Sequence, residues 1–321
     1  MARGRLSLLG AIVLALIAGP SITASAEPLA VLAAVKGRVE VTPAKAAQPI
    51  RAAFGQPLSR GDKVSVGAGG SATLFFNDGN MVELAEKSTV TVGGRVTGRG
   101  PTATAGLPTE VFSEVSRFVT AGSRQTGLMA QSPMRGESDA RPLILSPRQT
   151  DVLTDRPTFT WRRVGGATRY QVSLSAEGGP LWTRSSTGAS LAYPADVAAL
   201  ARDADYLLEV SAMGEKDPVR KESAGFHVIS AEQSEAIQAN LGRIRESAGG
   251  EKSPAACYLA GSYLGGHGLF GDAALQFTAL SEIMPESPAP HEALGKVYSE
   301  IGLTDLAAAE FQRALELTRT P

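Results

Sequence analysis

A single cysteine, Cys257, stands in the 321 residues, which excludes an intrachain disulfide and any zinc or iron–sulfur site built from several thiolates. Histidine is nearly as scarce. His227, His267 and His291 are scattered, and no two have the spacing of a zinc protease. Without an H-E-x-x-H, P-loop, G-x-S-x-G or kinase motif, no residue is nominated as catalytic, and neither cofactor nor metal is expected. Aromatic residues make up only 6% of the chain, and Trp161 and Trp182 are its two tryptophans, so stacking surfaces for sugars are few. Neither sign of charge dominates, with 31 Lys and Arg against 32 Asp and Glu. No basic field exists to hold phosphates, and nucleic acid is not an expected partner.

What the sequence does hold is a 43% hydrophobic content with 35 Gly and 19 Pro. That composition folds, and it favours several small modules of short strands and turns over one large helical body. Arg3 and Arg5 precede an apolar run from Leu6 to Ala18, Pro20 ends it, and Ala24-Ser25-Ala26 follows. This is the pattern of a secretory signal peptide over 1–26, cut after Ala26. The run is broken by Gly10, Gly19 and Pro20 and is short for a bilayer span, so an uncleaved inner-membrane anchor is the lesser alternative. No cysteine is placed to carry a lipid, and no later segment is apolar enough to span a membrane. A periplasmic or secreted protein is expected.

Residues 27–96 show strand periodicity. Val31, Ala33, Val35, Val39 and Val41 alternate around Gly37; Ala72, Leu74 and Phe76 share one face of a later strand. Asn77-Asp78-Gly79-Asn80 reads as a hairpin turn, because its glycine supplies the positive φ a tight turn requires. Gly67 to Ala72 fits a dinucleotide fingerprint, but a strand follows where the mechanism needs a helix, so a turn is the reading. Asp62 and Asp78 sit beside glycines, where aspartate hydrogen-bonds its own backbone.

This module resembles the extracytoplasmic domain of the ferric-citrate-regulator (FecR) family. The resemblance is carried by Val35-x-Gly37-x-Val39, Gly55-x-x-Leu58, Gly61-Asp62-x-Val64, Ser71-Ala72-x-Leu74-x-Phe76-x-Asp78-Gly79, Leu84 and Ser88-x-Val90. Signalling members of that family carry a cytoplasmic anti-sigma segment before a membrane helix. About five residues precede the apolar run in this sequence, so that arm is not expected.

Residues 97–141 read as linker, rich in Gly, Pro, Ser, Thr and Arg. Within it Val111, Val115, Phe118 and Val119 predict a short amphipathic helix over 108–120, packed on its own β module, with docking on a partner or a membrane surface as the lesser alternative. Over 142–230, strand-like runs recur about every ten residues, as in an all-β sandwich. Pro157-x-Phe159-x-Trp161, Tyr170-x-Val172-x-Leu174 and Tyr206-x-Leu208-x-Val210-x-Ala212 resemble strands of a fibronectin type III or immunoglobulin-like domain. In that resemblance Trp161 is core and Tyr206 forms a tyrosine corner.

Residues 231–321 turn helical. A Ser230-x-x-Gln233 capping box opens a helix with Ile237, Leu241 and Ile244 on one face. Gly268, Ala273 and Phe277 then recur 34 residues later as Gly302, Ala307 and Phe311. The first half of the unit, Leu259-Ala260-x-x-Tyr263, aligns with Leu294-Gly295-x-x-Tyr298 at an offset of 35, with Ala256 matched to His291 and the extra residue assigned to Gly265-Gly266. The pattern resembles the tetratricopeptide repeat, which implies antiparallel helix pairs offering a concave face to peptide segments. Tyr263, Phe277, Tyr298 and Phe311 are its candidate interaction positions, and Cys257 reads as a small buried hydrophobe.

Three modules are therefore expected: an all-β FecR-like domain, an all-β fibronectin-like sandwich, and all-α tetratricopeptide-like hairpins. The expected function is a non-enzymatic exported scaffold that binds envelope proteins. Two alternatives stay open: binding of cell-wall glycan, for which Trp182 is the sole stacking platform, and envelope signalling related to the FecR regulators.

Overall fold

The computed structural model describes residues 28–46, 48–93, 96–97, 102–104, 106–121, 141–214 and 220–319. The expected leader over 1–26, and 122–140 of the expected linker, lie outside them. In the first module β1 (Ala30–Lys36), β4 (Pro57–Leu58), β6 (Ser71–Phe76), β7 (Met81–Leu84) and β10 (Thr102–Thr104) form a sheet in the order β10-β7-β6-β1-β4. A second sheet, β3-β2-β5-β8-β9, is built from β2 (Val39–Thr42), β3 (Ile50–Arg51), β5 (Lys63–Val66), β8 (Thr89–Thr91) and β9 (Val96–Thr97). Ala30, Leu32, Leu58 and Leu74 pack across the sandwich against Val39, Val41, Val64 and Val90.

The opposite face of the first sheet is equally dry. Val31, Ala33, Phe75 and Met81 join a separate apolar cluster made largely of helical residues. Ala30 to Ala33 are consequently buried without a break, where alternation alone implied one wet face. The predicted turn at Asp78-Gly79 is present: Gly79 has φ +85°, and a Cβ there would lie 1.8 Å from the Leu107 carbonyl oxygen. Asp62 accepts from the amides of Ala44 (2.9 Å) and Ser59 (2.8 Å), and Asp78 from that of Asn80 (3.0 Å), so both acids serve turns.

The second module pairs a sheet of β11 (Ile144–Ser146), β13 (Thr158–Trp161) and β16 (Ser190–Ala192) with a larger one, β12-β18-β17-β14-β15. The larger sheet comprises β12 (Thr150–Val152), β14 (Arg169–Ala176), β15 (Gly179–Ser186), β17 (Ala204–Met213) and β18 (Arg220–Val228). Its core gathers Phe159, Trp161, Tyr170, Val172, Leu174, Leu208, Val210 and Phe226. The Tyr206 ring is buried there while its hydroxyl donates to the Ala201 carbonyl at 2.9 Å, which ties the preceding loop to the sheet.

Six helices complete the described chain. They are α1 (Thr109–Ala121), α2 (Ala231–Ser247), α3 (Pro254–Gly266), α4 (Phe270–Ile283), α5 (Pro288–Glu300) and α6 (Thr304–Arg319). The capping box at Ser230 and Gln233 starts α2. The hairpins α3–α4 and α5–α6 repeat, but the offset is 34 throughout, which corrects the value of 35 assigned to the first half. Ser253 and Ser287 are the N-caps, Pro254 and Pro288 follow them, and Gly261 rather than Ala260 is the counterpart of Gly295. The reason is steric. A Cβ on Gly261 would fall 2.7 Å from the Phe277 ring, and one on Gly295 would fall 2.6 Å from the Phe311 ring. Each hairpin closes by laying a phenylalanine of its second helix into a notch in its first. Cys257, not Ala256, is accordingly the counterpart of His291.

Candidate functional site

The hairpins are covered in part by the chain's own α1, which packs against α3, Phe277 of α4 and Lys296 of α5. Val111, Phe112, Val115, Phe118 and Val119 are all buried along one side of this helix. Phe112 meets Phe75 of the first sheet edge-on, with ring centroids 5.4 Å apart. Phe118 lies against Gly265 of α3 and stacks on Phe277 at 5.5 Å. The Glu114 carbonyl oxygen would sit 2.4 Å from a Cβ on Gly266, so the two backbones nearly touch. Polar contacts extend the clasp. Arg117 Nη1 donates to the Gly266 carbonyl at 3.2 Å, and Lys296 Nζ of α5 donates to that of Val119 at 3.2 Å. The helix expected to pack on its own β module thus packs on that module and on the hairpins together. Every residue of α3 from Ala255 to Gly265 is buried.

The sequence-selected residues are packing elements. Tyr263 is fully buried, its hydroxyl accepts from Asn240 Nδ2 of α2 at 2.9 Å, and burial pushes its phenol above the usual range. Phe277 is fully buried, whereas Tyr298 and Phe311 are half-buried. Trp182, nominated as an exposed sugar platform, is only 7% exposed and lies 5.7 Å from both Phe159 and Tyr193. Strand β15 buries no other residue but turns the indole inward to fill the sandwich, and this overturns the platform role. Cys257 is buried, and burial raises its thiol above the ordinary range, so its thiolate is scarce. Among the described residues, no three His, Cys, Asp or Glu side chains are placed to hold a metal ion, and no helix is long and apolar enough to cross a membrane.

A second region escaped the sequence reading. Strand β12 of the sandwich and the residues just before it grip the equivalent turns of both hairpins. Thr150 Oγ1 donates to the Gly268 carbonyl (2.9 Å) and accepts from the Phe270 amide (2.8 Å), and the Asp151 amide donates to Gly268 as well (3.1 Å). Just before β12, Arg148 Nε donates to the Ile301 carbonyl (2.9 Å) while its Nη1 pairs with Glu222 (2.9 Å).

Beside this junction opens a cleft of about 420 Å³ lined by Asp151, Asp205, His227 and Phe270, among others. A larger one, about 1030 Å³, shares Asp205 and Tyr206 with it and adds Glu177, Leu181, Asp203 and Leu207. His227 Nδ1 lies 2.9 Å from Asp205 and its Nε2 3.7 Å from Asp203. The Asp151 carboxyl is raised above its usual range, first by burial and then by the Asp205 charge, with His227 and His267 pulling the other way. The available signal was Leu207, an apolar residue on the face of β17 that alternation assigns to solvent.

No protein-family model matches the chain, and no curated protein matches it. Among solved structures, the crystal structure of chicken CNTN1 FN1-FN3 domains is similar at 11% identity with a TM-score of 0.19. The match covers 60% of this chain and 56% of that one, so the chain spans little more than half that structure's length.

Proposed function

We propose that this chain is a non-enzymatic exported scaffold that binds envelope proteins, built from a FecR-like β domain, a fibronectin type III-like sandwich and two tetratricopeptide-like hairpins. The observation that carries the reading is the continuity of the core. One apolar cluster runs from Val31 and Phe75 through Phe112 and Phe118 to Phe277 and Val297, and it takes in Ile237 and Leu241 of α2. Such a core presents modules at fixed relative positions, which a scaffold needs and a string of loosely tethered domains lacks. The chemistry of individual residues supports the same reading: Asp62 and Asp78 are spent on turns and the one thiol is buried. Glycan binding loses its stacking platform with Trp182 in the core.

The test is affinity capture with the intact chain from a periplasmic extract, with captured proteins identified by mass spectrometry and each re-tested as a purified protein. At least one direct binder is expected. If no purified candidate binds, the scaffold reading fails. Mass spectrometry of the mature protein is expected to find Glu27 at its N-terminus.

A further inference from the structure

We infer that the paired clefts at Asp205 and Tyr206 form a docking groove for an extended peptide segment of a protein partner, rich in lysine or arginine with apolar side chains between them. This deepens the scaffold reading and rests on it. Three observations converge. The clefts share residues, so a continuous path leads from Phe270 at the start of α4, past Asp151 and His227, to Leu181 on β15. Four carboxylates line that path, those of Asp151, Asp203, Asp205 and Glu177, with no lysine or arginine. The Asp203 and Asp205 side chains are 81% and 90% exposed, so beyond their contacts with His227 they stay open to an incoming cation.

The third observation is apolar. Leu181 and Leu207 are each 48% exposed, and both line the larger cleft. Leu207 is flanked by Gly225 on β18 and Ser175 on β14, so no bulky neighbour shields it. Acid and leucine alternate along β17 as Asp205-x-Leu207, a spacing of about 7 Å that an extended peptide reproduces with every second residue. The charge pattern decides the occupant. An acidic peptide, a nucleic acid or an anionic membrane is repelled by the same carboxylates that attract a basic segment. Solvent-exposed ion pairs are individually weak and screened by salt, so the leucines must supply the anchoring and the acids the selection.

Isothermal titration of the intact chain with three synthetic decapeptides, alternating Lys-Leu, Lys-Ser and Glu-Leu, tests this. The Lys-Leu peptide is expected to bind in the micromolar range, the Lys-Ser peptide at least tenfold more weakly, and the Glu-Leu peptide not at all. Two surface variants, Asp203→Asn with Asp205→Asn and Leu181→Ser with Leu207→Ser, should each weaken Lys-Leu binding about tenfold while circular dichroism stays unchanged. Equal binding to wild type and both variants, equal binding of the Lys-Ser peptide, or no binding overturns the proposal. An envelope partner captured equally well by both variants would leave the scaffold reading standing and remove the groove. Peptide binding with no purified partner would do the reverse.

Discussion

Replacing Gly265 by alanine sets two effects of opposite sign against each other. On a helix whose surface is free at that point, the change stabilises by about 1 kcal/mol, because glycine is that much the poorer helix former. In this fold a Cβ at 265 falls 2.5 Å from Cδ2 and 2.8 Å from Cε2 of Phe118. The ring has little room to retreat: it is 6% exposed and stacked on Phe277, with the Lys296 ammonium 5.9 Å from its centroid. Overpacking of this kind costs roughly 1–3 kcal/mol, which leaves a net loss of up to about 2 kcal/mol. With a urea dependence of about 3 kcal/mol per molar, the midpoint falls by up to roughly 0.7 M. Far-UV ellipticity should be followed alongside fluorescence, since Trp161 and Trp182 both report on the sandwich. The decisive experiment is the cycle with Phe118→Ala, whose own cost is about 3–5 kcal/mol. Once the ring is gone, Gly265→Ala should become stabilising, so the two changes are coupled by at least about 1 kcal/mol. If Gly265→Ala raises the midpoint in the wild-type background, or acts identically in both, then α1 does not lie on α3 and the reasoning is refuted.

Two further outcomes follow from particular contacts. Gly261→Ala and Gly295→Ala both crowd a phenylalanine, but Phe277 is fully buried while Phe311 is half-buried and can swing outward, so denaturant titration should find the first costlier. Asp151→Asn probes the sandwich–hairpin junction. Because the folded carboxyl is raised, its contribution to stability is fully present below the unfolded pKa of about 3.9 and is lost as pH rises through the folded value. The asparagine variant should therefore be the more stable protein at neutral pH, with the difference vanishing on acidification. An advantage that grows as pH falls would contradict the assignment.

Much of the fold was legible because its signals are local. The Asp78-Gly79 turn, the Ser230 cap, the alternation in β6 and β17 and the recurrence of Phe277 at Phe311 all follow from residues close in sequence or repeated at one period. The misregister within the hairpins arose from adjacent small residues: Ala260 and Gly261 differ by one methyl, and only the ring of Phe277 distinguishes them. Strands β15 and β16 lacked a pattern because Trp182 is the one residue they bury. The role of α1 was illegible for a different reason. Its stripe announces burial but not a partner, and the partner lies far along the chain, as the bond from Arg117 to Gly266 illustrates. The groove at Asp205 is of the same kind, since it is assembled by two modules that meet only after folding.

Helix α1 clasps the β module to the hairpins. Amide hydrogen exchange of the segment 109–121 in the intact protein measures this directly. Protection approaching that of buried α3 is expected, since both helices open only when the shared core does. Exchange of that segment within seconds, with α3 still protected, would mean that the helix is not docked and that the modules are not held as one body.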